Sequence, residues 1–220
     1  MNAMKDLVII GAGGFAREVA WLVEEINNKA PQWNLAGYID EDEEKWGQVL
    51  NGCPVLGSFV ALEKLPLNTM AICAVGSPAD KLRLVKKTKI LGRKFATLIH
   101  PAISLSSTVA VGEGVIICKD CILTINISIG DHVAINPGCG IGHDAVLQSY
   151  STLMWHVNVA GKAAVGEGCT LGTKTTVLQG VSIGKWCTVG AGAVVTKDIP
   201  PYCTAVGVPA KPIKFHNREV

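Results

Sequence analysis

The chain has 220 residues, 49% of them hydrophobic and 17% charged, which suits one large or two small globular domains and excludes a disordered chain. A net charge of +2, with no basic run and no interleaving of aromatic and basic residues, leaves no case for nucleic acid as a partner. Aromatic residues make up only 5%, so Ile, Val and Leu must build the core.

The front of the chain reads as strand, tight turn, helix. Asp6 to Ile10 is a short apolar run, too short to cross a membrane, and no charged-then-apolar leader pattern precedes it. A cytoplasmic protein with no membrane insertion is therefore expected. The turn Gly11-Ala12-Gly13-Gly14-Phe15-Ala16 fits G-x-G-x-x-G/A, and an amphipathic stretch follows from Phe15 to about Ile26. Glycines let a phosphate approach the backbone, and a helix N-terminus favours the anion. Many α/β turns need glycine for packing alone, and that reading stands beside the first.

A second strand, Leu35 to Ile39, ends at Asp40-Glu41, whose carboxylates suit hydrogen bonds from a ribose or a base. Further strands are expected at Pro54–Gly57 and Met70–Val75, the latter closing at Gly76-Ser77-Pro78. Asp80 to Leu91 predicts a basic amphipathic helix with a solvated face, and Phe95 to Ile99 a strand. About 95 residues are too few for both halves of a dinucleotide fold, so a single nucleotide is the better fit.

From Ile99 the period changes. Ile99, Leu105, Val111 and every sixth residue onward to Val195 are Ile, Leu or Val. Period six is neither the helical 3.6 nor the strand alternation of 2, and it predicts a hexapeptide parallel β-helix. The fifth position of each hexad is small or β-branched, as at Val133, Cys139, Ala145 and Ala163. It lies two residues before the next first position, so both point inward. The second position is often Gly, as at Gly112, Gly130, Gly142 and Gly166, and is read as supplying the backbone angles of a turn. Cys121, Cys139, Cys169 and Cys187 occupy the small inward position and act as compact apolar fillers. No pair of CxxC motifs points to zinc, and the cysteines read as reduced thiols. No His, Asp or Cys cluster has ligand spacing, so no metal is implied.

His143 is the candidate for chemistry. It sits in Asn136-Pro137-Gly138-Cys139-Gly140-Ile141-Gly142-His143-Asp144. A neutral imidazole suits general-base work near pH 7, and a carboxylate on its other nitrogen fixes the tautomer. Neighbours in an extended strand point opposite ways, so Asp144 can reach the ring only at a turn. His156 is the runner-up, with Trp155 and His156 expected to pack at an interface, and Val157 and Trp155 are candidates for an outer surface on which copies associate. His100, His132 and His216 are read as structural or surface residues, His132 at an outward hexad position and His216 in a mobile tail.

These hexads and the tail Val206-Gly207-Val208-Pro209-Ala210-Lys211 resemble the left-handed β-helix acyltransferases. The whole chain resembles the sugar acetyltransferases that carry a nucleotide-binding front domain, the bacillosamine-pathway N-acetyltransferases and sialic acid O-acetyltransferase-like proteins. The resemblance implies a Rossmann-like nucleotide-sugar-binding domain at 1–95, a left-handed β-helix at 96–200, and a tail at 201–220 folded back near the coenzyme. It implies acetyl-CoA as co-substrate, a nucleotide-linked amino sugar as acceptor, and a homotrimer with clefts between subunits. It makes His143 the base and Asp144 its partner. It lays Thr152, Gly161, Thr173, Ala191 and Lys211 along acetyl-CoA, with the Gly161 N–H on the thioester oxygen. It assigns Gly13, Gly14, Phe15, Asp40, Glu41, Gly76 and Asn136 to the acceptor. Phe15 and Glu41 depart from the family pattern, where a polar residue and a second Asp are common. The expected function is N-acetylation of the nucleotide-linked amino sugar. O-acetylation of a free or sialic-type sugar is an alternative, as is a non-catalytic hexapeptide scaffold or nucleotide-binding module.

Overall fold

The computed structural model describes residues 3–216. They divide into two compact units, one of residues up to Gly76 with Asp80–Pro101, the other of Ser77–Ala79 with the residues from Ala102 on.

The first unit is a five-stranded sheet with helices. Its elements are β1 (Lys5–Ile10), α1 (Gly14–Lys29), β2 (Trp33–Ile39), β3 (Val49–Leu50), β4 (Cys53–Gly57), α2 (Phe59–Lys64), β5 (Met70–Cys73) and α3 (Pro78–Ile90). The strand order is β3-β4-β2-β1-β5, parallel throughout except for the β3–β4 pair. β1 lies inside the sheet, so Leu7, Val8, Ile9 and Ile10 are all buried, which is why this strand reads as an unbroken apolar run. α1 buries Ala16, Val19, Ala20, Leu22, Val23 and Ile26, the one-sided stripe of an amphipathic helix.

Boundaries differ from the sequence reading for local reasons. β2 starts at Trp33 because the Asn27 side chain clips both the N–H and the carbonyl of Trp33, organising the turn after α1. Phe95–Ile99 is mostly irregular. It pairs through a single bridge, Ala71 with Phe95, before the short strand Leu98–Ile99.

In the second unit two-residue strands recur every six residues, from Ala110–Val111 to Val194–Val195. Partners lie 18 residues apart in parallel register, as in Ser128 with Val146, Ala134 with Thr152 and Gly140 with Asn158. The strands stack into three sheets, one per side of a triangular coil. Ile117, Ile135, Leu153, Leu171 and Val189 fill the interior with Val133, Cys139, Ala145 and Ala163 beside them. The final turns shorten: Ile183 pairs with Ile199, and Thr188 with Thr204. An antiparallel hairpin, Cys203–Val206 with Lys211–Phe215, closes the stack.

The corner geometry corrects the reading of the glycines. The left-handed backbone falls at the fourth hexad position, at every sixth residue from Gly114 to Gly192, including Asp120, Asn126, Asp144 and Lys162. The second-position glycines have no positive φ. They are needed because the next coil passes too close. A Cβ on Gly142 would stand 2.5 Å from the Gly161 nitrogen, and one on Gly166 2.6 Å from the Lys185 nitrogen. Those distances leave no room for any side chain.

The same stacking relocates two other residues. His132 is buried rather than outward, its ring stacked on Tyr150 one coil later at 5.3 Å. Val157, at a fifth position, points inward and is fully buried, so it cannot belong to an outer association surface with Trp155. His216 is tied to the hairpin by its N–H to the Tyr202 carbonyl and by Nε2 beside Thr204 Oγ1 at 2.9 Å, in contrast to the expected mobile tail. Residues 217–220 of that tail lie outside the described residues.

Candidate active site

The chain turns a corner of the coil through Gly142-His143-Asp144 after the strand Gly140–Ile141. Asp144 sits at the left-handed position with φ +60°, which swings its side chain back towards its neighbour. His143 Nδ1 and Asp144 Oδ2 are 2.8 Å apart, the turn-borne pairing that adjacency demanded. The His143 hydrogen bond, with a second from Asn126, holds the Asp144 carboxyl below the usual carboxylate range. Asn126 Nδ2 donates to Asp144 Oδ1 at 3.1 Å from one coil earlier. In the coil that follows, Lys162 N–H donates to the His143 carbonyl at 2.8 Å.

Gly161 faces the other side of the ring. A Cβ there would stand 2.5 Å from His143 Nε2, so only glycine leaves the imidazole in place. One corner of the coil thus holds an exposed imidazole with Nδ1 committed to a carboxylate and Nε2 beside bare backbone.

The remaining expected contacts of acetyl-CoA are elsewhere. Thr173 and Ala191 occupy the corner that follows the strands Thr170–Leu171 and Thr188–Val189, not the His143 corner. Trp155 and His156 stand on that same second corner and are exposed. Thr152 lies in a strand and is only 1% exposed. Asn136 is buried too, its Nδ2 donating to the Leu153 carbonyl at 2.7 Å, so its amide is engaged within the coil rather than held out for an acceptor. Lys211 opens the last strand of the closing hairpin and is exposed.

In the first unit Asp40 closes the glycine turn. Its Oδ2 accepts from the Ala12 N–H at 2.7 Å, and its Oδ1 accepts from the Asp42 N–H at 2.9 Å and pairs with Lys45. Glu41 is gripped by Arg83, 2.7 Å away, and by Lys87, both on α3. These bonds, Arg83's first, bring its pKa down to about 2. In the sequence Arg83 and Lys87 read only as a solvated helical face. Their partner is 42 or more residues earlier, and nothing local in the sequence announces it.

Asp40 and Glu41 line a crevice of about 170 Å³ with Gly11, Phe59, Asp80 and Arg83. Gly14 lines a separate hollow with Arg17 and Trp21. The glycines themselves divide in two. Gly11 has φ +104°, and a Cβ there would stand 3.0 Å from a Val75 methyl and 3.2 Å from the Ala74 carbonyl oxygen, so the fold requires it. Gly13, Phe15's neighbour Gly14, and Gly76 have ordinary φ and no backbone crowding them.

Comparison with known proteins follows this division. Residues 6–88 match the PglD N-terminal domain, and residues 162–197 the hexapeptide repeat of succinyl-transferase. Perosamine N-acetyltransferase from Caulobacter crescentus, solved as a histidine-to-asparagine mutant with CoA and GDP-perosamine, is 31% identical. It superposes with a TM-score of 0.86 over 96% of this chain and 98% of its own. The chain belongs to the left-handed β-helix sugar acetyltransferases. Another member, the acetyltransferase domain of PglB from Neisseria gonorrhoeae in complex with acetyl coenzyme A, is 27% identical over 96% of this chain and 100% of its own, with a TM-score of 0.84. A curated relative, UDP-N-acetylbacillosamine N-acetyltransferase from Bacillus subtilis, is 31% identical over 120 residues, and the match spans about half of each protein. Membership settles the hand of the coil, which no general rule supplies, since parallel crossovers are ordinarily right-handed. Among the described residues no helix is long and apolar enough to cross a membrane, and no group of three ligating side chains is placed to hold a metal ion.

Proposed function

We propose that this sugar acetyltransferase moves the acetyl group of acetyl-CoA to the amino group of a nucleotide-linked amino sugar, with His143 as general base. The observation that carries the reading is the corner where His143 Nδ1 meets the Asp144 carboxylate at 2.8 Å and Nε2 faces side-chain-free Gly161. Asp144 keeps the proton on Nδ1, leaving the Nε2 lone pair for the acceptor. The amine nitrogen attacks the thioester carbonyl and its proton passes to Nε2. The C–S bond then breaks, and the imidazolium returns the proton to the departing thiolate. The Gly161 N–H is the intended donor to the oxyanion, a contribution that side-chain-free backbone can make at close range.

The front domain is the handle for the nucleotide. Gly13, Gly14 and Gly76 are glycine without any need of the fold, which supports the reading of space kept for a phosphate or sugar. Asp40 and Glu41 shape the neighbouring crevice. Binding energy from such a remote handle can orient the reacting amine. Thr173 and Ala191 stand on a different corner from His143, which favours a coenzyme cleft completed by a second copy within a homotrimer. Eight free, buried cysteines suit a reducing cytoplasm.

The test is release of free CoA thiol with GDP- and UDP-linked amino sugars, set against the same amino sugars unlinked. Turnover with a linked acceptor and little without the nucleotide is expected. Equal specificity constants would discard the nucleotide handle, and acetylation of a hydroxyl sugar alone would move the assignment to O-transfer.

A further inference from the structure

The left-handed positions on the His143 corner form a ladder. Asn126, Asp144 and Lys162 occupy it in three successive coils, with φ of +56°, +60° and +59°. The shared backbone conformation throws each side chain out of the corner in the same direction, and Asn126 meets Asp144. An exposed carboxylate with one partner is free to rotate about its terminal torsion, which is broad and roughly two-fold. Asp144 has two partners on separate oxygens. Oδ1 accepts from Asn126 Nδ2 at 3.1 Å, and Oδ2 meets His143 Nδ1 at 2.8 Å. The two bonds together fix both the position and the plane of the carboxylate. Asn126 is itself fastened, its N–H donating to Thr108 Oγ1 at 2.9 Å.

We infer that Asn126 is a positioning residue for acetyl transfer: it holds Asp144 so that the carboxylate keeps His143 in the tautomer and orientation with Nε2 free. The inference rests on His143 being the base. The backbone does not by itself call for asparagine here, because Gly180 continues the same ladder at φ +71°. What asparagine adds over glycine is an amide donor aimed at the oxygen that His143 does not use. The sequence carries the signal only in retrospect, as a residue one coil, 18 positions, before the acid.

Asn126→Gly separates the amide from the backbone, since glycine takes the left-handed conformation without cost. This variant is expected to lower kcat about 3- to 30-fold, the worth of one coupled contact in a hydrogen-bonded network. The KM for acetyl-CoA should stay unchanged. Asn126→Asp, isosteric but repelling Asp144, should be at least as damaging.

The deciding measurement is the double mutant with Asp144→Asn. If Asn126 acts through Asp144, then Asn126→Gly costs little further activity in the Asp144→Asn enzyme. An equal loss in both backgrounds, or a raised KM for acetyl-CoA in Asn126→Gly, would overturn the inference and leave His143 as base intact. A His143→Ala enzyme with wild-type turnover would overturn the base assignment itself, and this inference with it.

Discussion

Glycine marks both the front turn and the His143 corner, and Gly13 and Gly142 are glycine for opposite reasons. At Gly142 the neighbouring coil lies 2.5 Å from where a Cβ would stand, so the protein's own backbone excludes every side chain. At Gly13 no atom of the protein comes within 4 Å of that point, and φ is an ordinary −84°. The coil's glycine is required by stacking, whereas the front domain's glycine leaves space that the fold does not use. A residue that the fold neither crowds nor twists is where a ligand requirement is easiest to isolate. Gly13 can therefore be probed by substitution without unfolding, and Gly142 cannot.

The largest effect should come from placing a side chain at Gly142. Gly142→Val is expected to cost at least about 3 kcal/mol, through backbone displacement across two coils, and to be seen as a lost or strongly lowered unfolding transition. A Gly142→Val protein that unfolds like the wild type would remove the stacking explanation. On the same corner His143 is exposed, so His143→Ala should fold normally. It should reduce kcat by about 10²- to 10⁴-fold, with acetyl-CoA binding unchanged by calorimetry.

The front turn should behave in the reverse way. Gly13→Val changes the helix N-cap and should alter stability by less than about 1 kcal/mol. The KM for the nucleotide-linked acceptor should rise about tenfold or more, equal to about 1.4 kcal/mol of binding. A large loss of stability with an unchanged KM would assign Gly13 to packing after all.

The smallest effect belongs to Glu41. Its pKa is lowered from 4.5 to about 2 in the folded protein, so its pairing stabilises above pH 4.5 and is lost as pH falls toward 2. The group is well exposed and screened by solvent, so Glu41→Gln should cost no more than about 1 kcal/mol at pH 7. The gap between the two proteins in urea titrations should narrow steadily below pH 4.5. A gap that persists unchanged at low pH would mean the carboxylate charge contributes nothing.

Much of this molecule is legible in the sequence. The run of Ile, Leu and Val at every sixth position dictates the coil, because such a pattern can be buried only when successive hexads form the sides of a stack. The apolar run before Gly11 dictates a buried strand, tight turn and helix. The adjacency of His143 and Asp144 carried its own geometric condition, a turn, and the left-handed Asp144 meets it.

The tertiary structure alone decided everything that depends on contact between coils or between distant elements. It moved the left-handed conformation from the second hexad position to the fourth and gave the second-position glycines a steric reason. It buried His132 and Asn136, gave Glu41 to Arg83 and Lys87, and placed Asn126 under Asp144. The physical reason is the same in each case. Periodicity and local propensity act over a few residues and can be read along the chain. A side chain's partner 18 or 42 positions away is chosen by register and packing, which come into being only when the chain folds.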